Sequence, residues 1–207
     1  MNQSQVAVST NVARPTAVSP WLLRGAAAIS GSLLVAVCAH VSVPLLFTPV
    51  PLTLQTFAVL LLGLTLSPAT AFAALTLYLI EGAAGLPVFS PHGPGGLLQL
   101  LGPTGGYLLS YPFAATLAAT LRRRAGSASF AVFVSSAAVA SLLILALGAS
   151  WLAVIARQPL STTFATAVWP FLPGDALKTC AAAAVALGLV KTRNRPGSSS
   201  VTRQNGA

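Results

Sequence analysis

In the stretch WPFLPGDALK, Trp169 to Lys178, a carboxylate and an ammonium stand three residues apart. Such groups are scarce here, since Asp and Glu together number 2 in 207 residues. At positions i and i+3 of a helix, Asp175 and Lys178 share one face. The Pro-Gly just before them predicts a helix beginning at about Gly174, whose positive end suits a carboxylate. Two chemistries are open to the pair. It can cap the helix and close on itself, or it can aim a fixed acceptor and a fixed cation into a pocket. An ionisable residue in so apolar a setting is costly, which points to a use. The second acid, Glu81, lies in YLIEGAAGLPVF. It can line the same pocket, cap the loop that follows, or pair with Lys178 or Arg157.

Other polar groups offer binding chemistry without catalysis. In GPTGGY, residues 102–107, glycines let another group approach the backbone closely, beside the Thr104 hydroxyl and the Tyr107 phenol. The same stretch reads equally as a helix-entry turn capped by Thr104. Gln55 and Gln99 are amides in apolar surroundings, and each needs a partner, from a ligand or from a loop carbonyl. His40 and His92 have no companion at metal-ligand spacing. Cys38 and Cys180 lie in apolar segments with no C-x-x-C motif and read as small buried hydrophobes. No metal or cofactor is expected. There is no G-x-x-x-x-G-K-[ST], G-x-S-x-G or H-E-x-x-H motif, so ATP hydrolysis and the common hydrolytic chemistries are excluded. The polar residues are those of a binding protein and not of an enzyme. A small integral-membrane enzyme using Asp175 and Lys178, or a scaffold without ligand, is the alternative.

The elements that must hold these residues are set by composition. The chain is 55% hydrophobic and only 6% charged, against about 25% in soluble domains. That leaves too little polar surface for a water-soluble bundle. The net charge of +9 sits in tails and short loops without interleaved aromatics, so a bilayer and not nucleic acid explains it. Six apolar segments follow a polar tail of residues 1–20: about Trp21–Val43, Leu52–Leu66, Pro68–Ala84, Tyr107–Leu121, Ser129–Ala153 and Gly174–Val190. The expected fold is an all-α membrane domain over residues 21–191, a six-helix bundle with Pro/Gly-rich links, and a disordered tail over 192–207. Several segments fall short of the ~20 residues of a full span, so the links at 44–51, 85–106 and 154–173 must lie partly at membrane depth. Irregular backbone there has to be buried or to line a wet cavity. Arg14, Arg24, Arg122–Arg124, Lys191, Arg193, Arg195 and Arg203 fall on one side, and Arg157 and Lys178 on the other. The positive-inside rule then puts both termini in the cytoplasm and the three elaborate links outside. Trp151 and Trp169 belong to the outer interface and Trp21 to the inner. The first helix carries Ala28, Ser32 and Ala36 at four-residue spacing, beside Ala27 and Gly31. Such a stripe allows close helix contact, within the chain or with a membrane partner.

FTPVPLTLQTFAVLLLG, YLIEGAAGLPVF, GPTGGYLL and PFLPGDALK, in this order, resemble the BioY family, the biotin-binding S components of energy-coupling-factor (ECF) transporters. The resemblance covers about residues 40–190. It implies a six-helix bundle in a bacterial or archaeal plasma membrane that binds biotin at its extracellular face. It also implies a membrane T subunit and two ATPase subunits as partners, with Ala28, Ser32 and Ala36 meeting the T subunit. The acid of the Pro-Gly-Asp and the lysine after it look like the family's binding pair, here Asp175 and Lys178. Tyr107 and Phe89 would wall the ring system, with Thr104, Gln55 and Glu81 as further ligand contacts.

Overall fold

The computed structural model describes residues 19–46 and 48–193. Arg14, Arg195, Arg203 and most of the polar tails expected at 1–20 and 192–207 lie outside the described residues; where the expected tails are described, Pro20 opens the first helix and Thr192 and Arg193 continue the last one, contrary to the disorder expected from 192 onward. In chain order the elements are α1 (Pro20–His40), β1 (Ser42–Val43), β2 (Leu52–Thr53), α2 (Gln55–Thr65), α3 (Pro68–Ala83), α4 (Gly96–Leu101), α5 (Gly105–Arg124), α6 (Phe130–Ala156), α7 (Leu160–Ala167), a 3-10 turn (Trp169–Phe171) and α8 (Leu172–Arg193).

Local chemistry explains most boundaries. Pro68 opens α3 at a position whose N–H would have no helical partner, and the Ser67 side chain accepts from the Thr70 N–H. Ser129 caps α6 in the same way through Val132. The far end of α6 closes on Arg157, which adopts a left-handed φ of 51°. Pro112 lies inside α5 without ending it.

Several boundaries differ from the sequence expectation, beginning with the first helix, which ends at His40 and not at Val43. Leu52 and Thr53 leave the second helix and pair antiparallel with Val43 and Ser42, so α2 is only 11 residues long. Prolines 44, 49 and 51 lie in the intervening link, which a helix could not cross. The last helix begins at Leu172 and not at Gly174. Pro173 is tolerated in its first turn because the missing N–H would have been orphaned there. Two short helices, α4 and α7, occupy links expected to be irregular.

The bundle is held by small residues. Helix α1 packs on α3, both α2 and α3 pack on α5, α5 packs on α6, and α8 packs on α2 and α6. Ala58, Ala71, Ala74, Ala115, Ala118 and Ala182 are fully buried at these contacts, which lets backbones approach closely. Larger side chains fill the rest, with Tyr78, Phe133 and Leu60 wholly enclosed. The exterior is apolar, with Trp21, Ile29, Phe113, Leu142 and Leu189 exposed. Pro20–His40, Phe130–Ala156 and Ser161–Thr192 are each long and apolar enough to cross a membrane, while α2 and α3 are shorter apolar helices.

The stripe on α1 is a correction to the expected partner surface. Ser32 and Ala36 are buried, and Ala28 packs against the core. Ser32 donates to the Glu81 carboxylate across the α1–α3 contact. The outward face of α1 carries Ile29, Leu33 and Val37 instead. Cys38 is buried as expected, whereas Cys180 is exposed; both are free.

Candidate ligand-binding site

One end of the bundle is hollow. A cavity of about 540 Å³, its open mouth included, lies between α2, α5, α6 and α8 and under the links 44–51, 85–104 and 157–171. Five of the seven residues expected to bind a ligand line it: Asp175, Lys178, Tyr107, Thr104 and Gln55. Gln99, set aside as an amide of open role, lines it too.

Asp175 is placed by the early start of α8. It falls at the end of the helix's first turn and turns its carboxylate toward the cavity and toward Lys178, where Nζ lies 3.0 Å from Oδ1. The two side chains are 7% and 12% exposed, so the pair is nearly removed from water. It is the one ion pair among the described residues. Lys178 also donates to the Thr56 hydroxyl at 3.0 Å. The ammonium is thus held from two sides, by α8 and by α2.

Gln55, at the start of α2, is tied into a chain of hydrogen bonds. Its Oε1 accepts from Thr53 at 3.0 Å and from the Tyr111 phenol at 3.5 Å. Its Nε2 donates to the Tyr78 phenol, which in turn donates to the Val88 carbonyl at 3.2 Å. The chain runs from the cavity wall to the link after α3, and its three central members, Gln55, Tyr78 and Tyr111, are buried.

On the other wall, Gln99 donates Nε2 to the Thr104 hydroxyl and accepts from the Gly95 N–H. Thr104 therefore makes no cap bond to α5; it serves the link. The Ser90 hydroxyl is buried at the cavity wall and has no partner. Apolar groups fill the space between these polar walls: Val50, Leu108, Ile144, Leu145 and Phe171. The His92 ring and the Ser42 hydroxyl, 3.0 Å apart, join the link after α3 to β1.

Two expected ligand contacts lie elsewhere. Glu81 is taken up by Ser32 and does not line the cavity, nor does it pair with Lys178 or Arg157. Phe89 is buried edge-on against Tyr78, its ring lying where a side chain at Gly82 would be. It supports Tyr78 and does not face the ligand space. The glycines of GPTGGY also have a different use from the one expected. A Cβ at Gly106 would lie 2.2 Å from Trp151, whose Nε1 donates to the Gly102 carbonyl. What approaches that turn is α6. At Gly148 of α6 a Cβ would fall 2.2 Å from the Tyr107 ring, so the absence of a side chain there seats Tyr107. The Tyr107 phenol then donates to the Ala167 carbonyl of α7 at 2.9 Å. Tyr107 offers its ring, not its hydroxyl, to the cavity.

The cavity can grip a compact molecule that has donors and an acceptor at one end and an apolar body behind them.

Comparison with known proteins extends this geometry. Residues 11–195 match the model of the BioY family. The probable biotin transporter BioY of Pyrococcus horikoshii is 37% identical over 138 residues, spanning 67% of this chain and 79% of that protein. The biotin transporter BioY of Thermotoga maritima is 37% identical over 161 residues, spanning 76% and 90%. Among solved structures, the S-component for biotin from an ECF-type ABC transporter superposes with a TM-score of 0.77 at 23% identity, over 84% of this chain and 95% of that one. At that identity the superposition speaks for the fold alone.

Proposed function

The chain belongs to the BioY family, and on that premise we propose that it captures biotin as the membrane S component of an ECF-type uptake transporter. The observation that carries this reading is the nearly buried Asp175–Lys178 pair in the wall of that cavity, with amides and apolar side chains around it. Biotin presents a cyclic urea with two N–H donors and one carbonyl, an apolar sulfur ring and a short acid tail. A carboxylate accepts from a urea N–H, and an ammonium donates to its carbonyl. Gln55 and Tyr111 stand beside the pair to complete the polar end, and Leu108, Ile144, Leu145 and Phe171 take the ring. A ligand that leaves such buried polar groups unmatched loses more than a contact, so the site discriminates sharply.

The rest of the molecule fits capture without chemistry. With no phosphate-binding loop in its sequence, the chain draws its energy from partners, a T subunit and two ATPase subunits. Six spans, α1, α2, α3, α5, α6 and α8, keep both termini in the cytoplasm. Arg24, Arg122–Arg124 and Lys191 lie at that face, and Arg157 and Lys178 toward the other. At 1.5 Å per residue, α2 is only about 16 Å long, against a hydrocarbon core of about 30 Å. The ribbon and link before it supply the remaining depth, and irregular backbone is tolerated there because it borders a cavity. The cavity mouth therefore opens outward.

Equilibrium titration of the detergent-purified chain with biotin tests the reading. Saturable binding of one biotin per chain is the expected result. No binding at ligand concentrations of about 100 μM, some 5 kcal/mol of affinity, refutes it. A scaffold would bind nothing, and an enzyme would turn its ligand over.

A further inference from the structure

The charges in the cavity wall cancel. Among the described residues the wall holds one anion, Asp175, and one cation, Lys178, and they are bonded to each other. Glu81 is engaged by Ser32 away from the cavity. Arg24, Arg122–Arg124, Arg157, Lys191 and both histidines are likewise absent from its lining. A carboxylate drawn into this space would bring a negative charge that no spare cation offsets, and burying a charge without its own partner is unfavourable.

The cyclic urea, by contrast, uses the pair as it stands. Its N–H groups and its carbonyl are neutral, and they match an acceptor and a donor already fixed side by side, with Thr56 holding the ammonium in place. Both members of the pair are then committed to the ring end of the ligand. The polar groups left for the tail carry no charge. They are the Gln99 amide, the Thr104 hydroxyl and the Ser90 hydroxyl, and the last is buried with its hydrogen-bonding capacity unspent. A buried hydroxyl seeks a partner, and an amide carbonyl satisfies it as well as an acid does.

Resting on the biotin reading, we infer that the cavity recognises the ligand's bicyclic urea and not the charge of its acid tail. Neutral tail amides of biotin are therefore ligands of this chain as well. The transported class is wider than the free vitamin and includes its amide-linked forms, as far as the mouth between the links admits them.

The test is a parallel titration of the full-length, detergent-purified chain with biotin and with its primary amide. The expected result is that the amide binds within about tenfold of biotin, as befits a tail read by neutral hydrogen bonds. Biotin binding with the amide weaker by more than about tenfold overturns the inference and leaves the biotin reading standing, because losing one member of a buried charge pair weakens binding by at least that much. If neither ligand binds, the biotin reading itself falls and the inference with it.

Discussion

Replacing Lys178 separates two roles that the ion pair could play. With Lys178→Met, the Asp175 carboxylate, 7% exposed, keeps its charge and loses its cation. Removing one partner of a buried pair costs about 3–5 kcal/mol. The 12% exposure of the lysine lets water reach the site, so the loss of stability should lie near the lower end, about 3 kcal/mol. Binding should also weaken. A hydrogen bond to a charged group is worth about 1.5–3 kcal/mol, which is roughly 10- to 150-fold in the dissociation constant. The double variant Asp175→Asn, Lys178→Met distinguishes the two effects, since it leaves no charge unpaired. Its thermal midpoint should recover most of the single variant's loss, a coupling of about 2 kcal/mol between residues in contact. Its biotin affinity should not recover. The assays are intrinsic-fluorescence melting and equilibrium biotin titration in the same detergent. If the single and double variants bind biotin within about threefold of the parent, less than 1 kcal/mol, the pair is a structural clamp and the reasoning about the site is wrong.

Further outcomes follow from the neighbours of that pair. Thr56→Val removes the second hold on Lys178 and should weaken biotin binding by about tenfold, or 1.4 kcal/mol, while Thr56→Ser keeps the hydroxyl and restores it. Gly148→Ala would put a methyl 2.2 Å from the Tyr107 ring. Overpacking of this kind should lower stability by about 1–3 kcal/mol, read as a fall in melting midpoint, with weaker biotin binding as Tyr107 leaves the cavity wall. For the topology, Arg123→Cys in a background lacking Cys38 and Cys180 should react with a membrane-impermeant thiol reagent only in inside-out vesicles. Labelling from the outside of intact cells would reverse the orientation.

The helices were legible in the sequence because their signals are local. Ser67-Pro68 and Ser129 cap where they stand, and the basic run Arg122–Arg124 ends α5. Asp175, Lys178, Gln55 and Thr104 stood out because polar groups in an apolar chain need partners, and the cavity gathers all four. Glu81 satisfied the same criterion but found its partner in Ser32, 49 residues away in the chain and on another helix. Pattern alone cannot tell which partner a lone acid will meet. The apolar half of the site was hidden for the opposite reason. Leu108, Ile144, Leu145 and Phe171 have the composition and spacing of core residues, and only the packing of α5, α6 and α8 leaves space in front of them. Tyr111, Thr56 and Ser90 also went unmarked, each sitting among residues whose types carried no signal. The glycines of GPTGGY were noticed correctly as a site of close approach, but the group that approaches is Trp151.

The mutual satisfaction of Asp175 and Lys178 has an electrical consequence for uptake. A single charge moved through a potential of 100 mV gains or loses about 2.3 kcal/mol. A lysine standing alone in the cavity wall would leave an uncompensated positive charge within that field. With its own counter-ion bonded beside it, the lysine and its acid together present no net charge to that voltage at the cavity wall.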